Sequence, residues 1–407
     1  YKGILEGKIQ PMTSASLQTN SKVPDPMLEA AKKLIPIIKS NCDRIDSDRQ
    51  LPTDLAKIMN DAGLFRLYVP KVLGGPELDP ITAFRVVEEI SRADGSAGWS
   101  SFNGTALTSA VSRVSIEAAK ELFGDPPDVS ASGSARSGGT ARITEGGYIV
   151  SGRWNYLSGI DHATCLFLNC DLINDSGPVL GPGGAPIYRV VMVPLEAGQM
   201  IVTWNTMGMR GTASNDAEYT ELFVPENHTY SRAESGFHDN PLYNPETAIL
   251  CSWTLASANA LGMARGAMDA FKSIATAGST NSPNLLRDRS TVQTTVGECE
   301  AMIEAGRAYV FSAVGSMWDA MLSGDSTIMD KAVNVRLAIT HGIRQSVQVV
   351  EKLFYAAGTG AIHESNGLER FFRDLHVSGQ HISGLHSNYE FGGQSLLGAE
   401  ITAPTYS

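Results

Sequence analysis

Residues 152–162 read Gly-Arg-Trp-Asn-Tyr-Leu-Ser-Gly-Ile-Asp-His, and residues 204–214 read Trp-Asn-Thr-Met-Gly-Met-Arg-Gly-Thr-Ala-Ser. Each segment follows a short strand pattern and is rich in glycine, serine or threonine. Small residues let backbone amides and hydroxyl groups approach the polar edge of a flat ligand closely. The two segments therefore predict a binding site built from two loops of a β domain.

The composition is that of a globular protein with a sizeable core. The chain has 407 residues, of which 43% are hydrophobic and 18% are charged, enough for two or three domains. Its formal net charge of −11 argues against a nucleic-acid-binding surface. The sequence also shows no apolar run of transmembrane length. From the negative charge and the missing apolar run together, we expect neither a nucleic acid nor a membrane as a partner.

The five cysteines are odd in number and show no pairing pattern. Cys165 and Cys170 fall in one strand-like run, which favours packing in a sheet over metal binding. We therefore expect reduced thiols and a cytoplasmic location. His376, His381 and His386 are spaced five apart, which does not hold them on one helix face, so we predict no metal site.

The pattern of apolar residues divides the chain into four parts. We treat residues 1–24 as a flexible lead or a vector remnant. Residues 25–128 show helical spacing, residues 129–235 show short strand-like runs between glycine-rich turns, and residues 236–407 show long helical segments. We predict an α+β protein with an N-terminal helical domain, a middle antiparallel β-barrel or sandwich, and a C-terminal four-helix bundle.

The individual elements are predicted from periodicity and from turn residues. Gly262 and Gly266 lie in a predicted long helix and mark places where another backbone approaches. The expected helices are 54–62, 80–91, 96–112, 250–273, 290–322, 327–357 and 367–386. The expected strands are 147–153, 165–172, 188–193, 200–203 and 219–224.

Five motifs occur in a characteristic order. They are GLFRLYVP at 63–70, LGG at 73–75, EISRADGSAGW at 89–99, and the two loop segments at 152–162 and 204–214. From about residue 51 to the end, this order resembles the acyl-CoA dehydrogenase superfamily. The resemblance implies an acyl-CoA dehydrogenase-like fold in which the two loops hold a flavin ring.

The segment GLERFFRDLH at 367–376, followed by His381, separates the branches of this superfamily. It is similar to two-component flavin-dependent monooxygenases, the branch that includes 4-hydroxyphenylacetate 3-hydroxylase, the steroid-ring hydroxylase and dibenzothiophene monooxygenase. The resemblance implies that reduced FMN or FAD and O2, through a flavin C4a-hydroperoxide, hydroxylate an aromatic or heteroaromatic small molecule. It also implies a homotetramer. The chain shows no Gly-x-Gly-x-x-Gly unit for a nicotinamide cofactor, so we expect a separate flavin reductase.

The resemblance assigns catalytic roles to His381 and Ser158. His381 is expected to face flavin and substrate, where a histidine that titrates near neutral pH can take a substrate proton or steady the hydroperoxide. The hydroxyl of Ser158 is expected to act as a donor at the N5 edge of the flavin, which would slow the loss of peroxide.

The same resemblance assigns further residues to the cofactor and the substrate. Arg287 suits a flavin phosphate because its hydrogen bonds are charge-assisted. The cofactor-binding candidates are Trp154, Asn155, Ser158, Gly159, Arg210, Gly211, Thr212 and Ser214 in the two loops, and Arg287, Gln293, Gly358 and Thr359 near a flavin of a neighbouring subunit. The candidates for the substrate pocket are Asn103, His162 and Tyr389.

The chain departs from the family pattern in the helix that follows Trp99. Several aromatic hydroxylases of this branch have a histidine there, whereas Asn103 is the nearest polar residue here. A substrate that needs no deprotonation, such as an electron-rich heteroaromatic, is therefore favoured. Three alternatives stay open: an FAD-dependent acyl-CoA dehydrogenase with Glu390 as base, an N- or S-oxygenase of the same fold, and a non-catalytic scaffold.

Overall fold

The computed structural model describes residues 25–181, 184–231, 240–277 and 284–403, so the lead predicted at residues 1–24 lies outside the described residues. In the N-terminal domain, Asp25, Asp79 and Asp94 each cap a helix by accepting hydrogen bonds from its first backbone amides. The helices of this domain are α1 (Pro26–Ser40), α2 (Cys42–Asp48), α3 (Thr53–Asp61), α4 (Pro80–Ala93), α5 (Gly95–Thr108) and α6 (Ile116–Phe123).

The middle domain is a mixed sheet of eight described strands. Their order across the sheet is β6-β7-β2-β1-β3-β5-β8, with β4 paired to β3. The predicted three-part architecture is confirmed, but the sheet is open rather than a closed barrel, and β1 runs parallel to β3. The strands are β1 (Ala131–Thr144), β2 (Gly147–Leu157), β3 (Cys165–Asn174), β4 (Gly177–Pro178), β5 (Tyr188–Pro194), β6 (Gln199–Ile201), β7 (Asn215–Pro225) and β8 (Thr229–Tyr230).

The parallel pair follows from the connection between β2 and β3. β2 forms an antiparallel hairpin with β1, and residues 158–164 then cross the end of β1 to enter β3 on its other side. This crossover contains part of the first predicted binding loop. β1 was not predicted because residues 131–139 are mostly serine, glycine and alanine, which lack the side chains that favour strands.

The two faces of the sheet belong to different hydrophobic clusters. Leu166 and Leu168 on β3 pack into a cluster formed by residues of the sheet domain. Cys165 and Phe167 alternate with them and pack against the helical domain, which contributes Phe123 to the second cluster. The sheet is thereby fixed against the helices that carry the N-terminal part of the site.

Among the described residues, the C-terminal domain contains three long helices and two short ones. The prediction of one helix over 367–386 was wrong, because the chain turns back at Gly379. A Cβ on Gly384 would come within 2.8 Å of the Gly379 carbonyl oxygen, a close approach that two glycines allow. The helices are α7 (Ala248–Thr276), α8 (Ser290–Ser323), α9 (Ile328–Ala357), α10 (Leu368–Ser378) and α11 (Ser387–Leu396).

α7 crosses α4 at close range and so joins the two helical domains. A Cβ on Gly262 would come within 2.4 Å of the Glu88 carbonyl oxygen, and one on Gly266 within 2.6 Å of the Arg92 carbonyl oxygen. The prediction that another backbone approaches at these glycines is confirmed. Asn259, on the same helix, donates to the carbonyl oxygen at the start of α5 at 2.9 Å.

The cysteines carry free thiols, as predicted, and four of the five are buried. Burial raises the pKa of Cys165, Cys170 and Cys251 to about 12 and that of Cys299 to about 11. The pKa of Cys42 is also raised, first by burial and then by the charge of a neighbouring carboxylate. Within the described ranges, no helix is both long and apolar enough to cross a membrane.

The close crossing of α4 and α7 makes a testable prediction about two glycines. Gly262→Ala should lower the free energy of unfolding by about 1–3 kcal/mol, because the added methyl group meets backbone that cannot move away easily. Gly297→Ala on α8 is the matched control, since a Cβ there meets nothing within 4 Å. It should raise the free energy by up to about 1 kcal/mol through helix propensity. Urea denaturation measures both free energies of unfolding, and equal changes for Gly262→Ala and Gly297→Ala would contradict the close crossing.

Candidate functional site

The two predicted loops meet beside α5. The indole Nε1 of Trp99 donates to the hydroxyl of Ser158 at 3.1 Å, and Nδ2 of Asn103 donates to the Ser158 carbonyl oxygen at 2.8 Å. The backbone amide of Gly159 donates to the carbonyl oxygen of Thr212 at 2.7 Å, which ties the first loop to the second. Four of the residues predicted for the site, Ser158, Gly159, Thr212 and Asn103, therefore lie together.

A row of hydroxyl groups runs from Ser158 into the second loop. The oxygens of Ser158 and Ser214 are 2.7 Å apart, and those of Ser214 and Thr212 are also 2.7 Å apart. Thr212 donates to the carbonyl oxygen of Met209 at 2.9 Å. All three hydroxyl-bearing residues are buried, with 7% or less of their surface exposed. The row is therefore shielded from water.

The second loop has an unusual backbone. Met209 and Ala213 have φ of 51° and 44°, in the left-handed region that non-glycine residues rarely adopt. The carboxylate of Asp374 accepts a hydrogen bond from the Met209 amide, and Arg373 donates to the carbonyl oxygen of Met207 at 2.8 Å. Gly208 faces the Arg373 carbonyl oxygen at a distance that leaves no room for a side chain. α10 thus holds the loop in place.

The same end of α10 is tied to the N-terminal domain by ion pairs. Arg373 contacts Glu369 at 2.6 Å and Asp46 of α2 at 3.1 Å. Arg210 of the second loop reaches the same Asp46 at 3.2 Å. Arg210 was predicted to bind the cofactor, and the structure engages it in this ion pair. The segment that separates the branches of the superfamily therefore joins all three domains.

Asp374 and Asp94 are two buried carboxyl groups at this junction. Burial and, to a smaller extent, the negative charge of Asp94 raise the pKa of Asp374 to about 7, although the hydrogen bond from the Met209 amide acts in the opposite direction. Burial also raises the pKa of Asp94, whose side chain caps α5 through Ala97 at 2.9 Å. Each carboxyl group accepts a hydrogen bond from a backbone amide, as buried polar groups require.

His381 lies against the aromatic side of the cluster. Its ring is 5.2 Å from that of Trp99 and 6.1 Å from that of Phe102, both edge to face. Burial lowers its pKa to about 4, so it is neutral at physiological pH rather than titrating near neutrality as expected. The hydroxyl of Ser383 lies 2.7 Å from Nδ1 of His381, and the backbone amide of Ser383 donates to the same nitrogen at 3.4 Å. Because that amide can only donate, Nδ1 accepts and Nε2 carries the proton.

His162 is packed behind the first loop. Its ring stacks on Phe65 at 4.9 Å, and a Cβ on Gly159 would lie 3.0 Å from it. Burial lowers the pKa of His162 to about 4. It therefore supports the crossover loop from the side of the helical domain.

Three other predicted residues are not brought to this cluster. Trp154 is buried in the sheet, where its indole donates to the Asn169 carbonyl oxygen at 2.7 Å, and the adjacent Asn155 is exposed. Tyr389 on α11 packs against His386, with 5.8 Å between ring centroids. Next to it, Glu390 is exposed.

Arg287 and Gln293 lie on a separate surface. They line a cavity of about 280 Å³ between the end of α7 and the start of α8, together with apolar residues such as Phe271. Gln293 donates to the Arg287 carbonyl oxygen at 3.0 Å. Gly358 and Thr359 are exposed just beyond α9. These four candidates form no part of the Ser158 cluster within one chain.

Two family models match the chain. The model of the acyl-CoA dehydrogenase N-terminal domain matches residues 29–124, and that of the acyl-CoA dehydrogenase C-terminal domain matches residues 254–384. The two matches cover the helical domains on either side of the sheet. The chain belongs to the acyl-CoA dehydrogenase superfamily.

Similar proteins identify the flavin-dependent monooxygenase branch of this superfamily. Indole-3-acetate monooxygenase of Pseudomonas putida is 28% identical over 87% of this chain and 89% of its own length. The oxygenase subunit HsaA of Rhodococcus jostii, a flavin-dependent monooxygenase, is 27% identical over 86% and 92%. The structure of 3-HSA hydroxylase from Rhodococcus sp. superposes with a TM-score of 0.84 at 26% identity, covering 94% of this chain and 99% of that one.

The groups around Ser158 fit the ring of the flavin that this superfamily uses. A flavin ring presents neutral hydrogen-bonding groups along its edge and flat apolar faces. The cluster offers the hydroxyl of Ser158 and the indole of Trp99, and Ser158 forms hydrogen bonds with the uncharged side chains of Trp99, Asn103 and Ser214. The basic Arg287 beside a surface cavity fits a phosphate instead.

Sequence reasoning did not assign roles to Trp99, Asp374 or Ser383. Trp99 and Asp374 lie within quoted motifs, and each carried a usable signal. An indole in a buried helix needs an acceptor, and an aspartate that follows two arginines at helix spacing needs donors. Ser383 carried no such signal, because its contact with His381 depends on the turn that ends α10.

The raised pKa of Asp374 predicts how stability depends on pH. The folded protein keeps this proton up to about pH 7, whereas an unfolded aspartate releases it near roughly pH 3.9. Between those values the folded state binds more protons, so this contribution to stability falls as the pH rises. The free energy of unfolding of the native protein, relative to Asp374→Asn, should therefore fall from pH 4 to pH 7.

The exposed Asp175, in the turn before β4, provides the matched control. Asp175→Asn should give a stability difference from the native protein that stays nearly constant between pH 4 and pH 7. Denaturant titrations at several pH values measure both differences. A constant difference for Asp374→Asn as well would contradict the raised pKa.

Proposed function

We propose that this chain is the oxygenase component of a two-component flavin-dependent monooxygenase. It uses reduced FMN or FAD and O2 to hydroxylate an aromatic or heteroaromatic small molecule. The observation that carries the proposal is the uncharged cluster of buried Ser158 and half-buried Trp99 and His381, where the two loops meet α5. The names of its relatives, which include oxygenase subunits and aromatic hydroxylases, support the same conclusion.

Bound reduced flavin supplies the electrons that activate O2, and the protein supplies position and polarity. Ser158 would contact the polar edge of the ring, and Asn103 holds the backbone of Ser158 in place by donating to the Ser158 carbonyl oxygen. Trp99 and Phe102 form an aromatic wall, 5.0 Å apart edge to face, that keeps water from the reacting atoms. The same wall suits the flat ring of an aromatic substrate.

His381 acts as a neutral hydrogen-bond donor. Its pKa of about 4 makes it a poor base at neutral pH, and the bonds from Ser383 to Nδ1 leave the Nε2 proton to be donated. Such a donor stabilises negative charge on oxygen without taking a proton from the substrate. This role agrees with the absence of a histidine on α5, and it favours substrates that react without prior deprotonation.

The dehydrogenase alternative needs a carboxylate beside the flavin. The expected base, Glu390, is exposed on α11 and accepts a hydrogen bond from Gln394 at 3.4 Å. A base that removes a proton from carbon works best in a dry site, close to the reacting atoms. The position of Glu390 therefore supports the oxygenase.

We further propose a cytoplasmic homotetramer in which Arg287, Gln293, Gly358 and Thr359 reach the flavin of a neighbouring subunit. Two large apolar side chains beside this loop, Tyr355 and Ile362, are 80% and 62% exposed in the single chain. Exposed apolar surface of this kind favours contact with another subunit. Free thiols support a reducing compartment. A separate reductase delivers the reduced flavin.

The proposal is tested by supplying the purified protein with FMN or FAD, an unrelated flavin reductase, NADH and O2. The panel of substrates contains an indole, a phenol, a thiophene and an acyl-CoA thioester. Incorporation of one atom of ¹⁸O from O2 into an aromatic product, detected by mass spectrometry, is the expected result. Anaerobic bleaching of tightly bound oxidised FAD by the acyl-CoA would instead identify a dehydrogenase.

The role of His381 is checked by replacing it with alanine. His381→Ala should reduce formation of the hydroxylated product by about 100-fold, because a preorganised donor is lost. Binding of reduced flavin should change little, because His381 contacts aromatic rings rather than the hydroxyl row. His228→Ala, at a histidine that pairs with Glu121 of α6 rather than with the cluster, is the matched control and should keep full activity. Unchanged product formation by His381→Ala would remove His381 from the mechanism.

Ser158→Ala should separate O2 consumption from product formation. Without the hydroxyl at the ring edge, we expect more H2O2 to be released for each O2 consumed. Ser40→Ala, at an exposed serine of α1 whose hydroxyl bonds only a backbone carbonyl, should behave as the native protein does. The yields of H2O2 and product per O2 are measured together. A Ser158→Ala protein that converts all its O2 into product would refute this role.

A further inference from the structure

We propose that Thr212 and Ser214 fix the direction of the proton on Ser158 and thereby make the site prefer reduced flavin to oxidised flavin. This inference rests on the proposed function, because it requires a flavin whose N5 edge faces Ser158. It adds two positioning residues that act through Ser158, and it follows from counting the donors and acceptors in the hydroxyl row.

The direction of the row is set at its inner end. The carbonyl oxygen of Met209 can only accept a hydrogen bond, so in its 2.9 Å contact with Thr212 the hydroxyl is the donor. This carbonyl cannot easily turn away, since it also accepts from Trp204 Nε1 at 2.8 Å and from the Thr212 amide at 3.2 Å. On the other side of the same residue, Asp374 holds the Met209 amide.

The remaining protons follow in order. Thr212 has used its proton, so in its 2.7 Å contact with Ser214 the donor is Ser214. Ser214 has then used its own proton, so in the next contact, also 2.7 Å, the donor is Ser158. Each hydroxyl carries one proton and can accept at two positions. The row therefore points one way, from Ser158 inward to Met209.

Trp99 supplies the remaining hydrogen bond to Ser158, at the outer end of the row. The indole N–H is a donor only, and it reaches the Ser158 oxygen at 3.1 Å. Ser158 thus gives its proton to Ser214 and accepts from Trp99, which leaves one acceptor position and no proton to offer. The sequence led us to expect a donor at this position, and the geometry points to an acceptor.

Reduced and oxidised flavin differ at the ring nitrogen that meets Ser158. In the reduced form, N5 carries a hydrogen and donates, which matches the free acceptor position. In the oxidised form, N5 has only a lone pair, and two acceptors would face each other without a proton between them. Oxidised flavin can bind well only if the row gives up one of its hydrogen bonds. The same preference would release the spent cofactor, as a protein supplied by a separate reductase requires.

Two substitutions test the direction of the row. Thr212→Val keeps the shape but removes the last acceptor hydroxyl, which frees the Ser214 proton to turn toward Ser158 and lets Ser158 donate outward. Ser214→Ala frees the Ser158 proton directly. Both variants should lower the ratio of the Kd for oxidised flavin to the Kd for reduced flavin by about tenfold, the effect of about one hydrogen bond. The midpoint potential of bound flavin should fall by about 30 mV, the two-electron equivalent.

Thr206→Val is the matched control. Thr206 lies in the same loop and donates to a backbone carbonyl at 2.8 Å, as Thr212 does, but it is outside the row. Its Kd ratio and midpoint potential should equal those of the native protein. Anaerobic titrations with FMN and with FAD, in both oxidation states, measure the two Kd values, and circular dichroism verifies that each variant is folded.

The outcomes separate the two levels of the proposal. If the variants bind flavin with an unchanged Kd ratio and potential, the proposed direction of the row is refuted and the proposed function stands. A fall of the same size in Thr206→Val would also refute it, because the effect would then come from the loop rather than from the row. If the native protein binds neither form of FMN or FAD, the proposed function itself fails.

Discussion

The hydrogen bond between the Asp374 carboxylate and the Met209 amide is the contact on which the rest of the site depends. It holds Met209 in a left-handed conformation, with φ of 51°, that the residue would not adopt alone. From the carbonyl oxygen of Met209 the hydroxyl row extends to Ser158, which α5 contacts from the other side. The carboxylate itself is poorly solvated, as its pKa of about 7 shows. Burying this carboxyl group lowers the stability of the fold, while its hydrogen bond helps the three domains to hold the two loops in one arrangement.

The site that results works through position rather than through charge. Its histidines, His381 and His162, have pKa values of about 4 and stay neutral. Its hydroxyl groups point in a direction that backbone groups determine, and its aromatic rings keep water away. A dehydrogenase of the same fold needs an ionised base at the reacting carbon, whereas an oxygenase needs a dry, neutral cavity that leaves the difficult chemistry to the cofactor.

Much of this could be predicted from the sequence, and the exceptions have physical causes. The long helices and the two loops follow from local periodicity and composition. The family resemblance assigned Ser158 and Thr212 to the cofactor, and both lie in the same hydroxyl row. The direction of the serine's hydrogen bonds could not be predicted, because it is set by Trp99 and Met209 from distant parts of the chain. Trp154 was assigned to the cofactor although strand alternation turns its side chain into the sheet. The end of α10 depends on a tertiary approach between two glycines.

The burial of the thiols has a consequence for an enzyme that handles oxygen. A flavin that reacts with O2 releases some H2O2 in every imperfect turnover, and H2O2 attacks the thiolate form of cysteine. The five cysteines have raised pKa values, about 11 for Cys299 and higher for the others, so almost no thiolate is present at neutral pH. Four of them are also out of reach of solvent. The thiols should therefore resist the H2O2 that the enzyme itself releases. Oxidative inactivation should begin instead at exposed methionines such as Met207 and Met329.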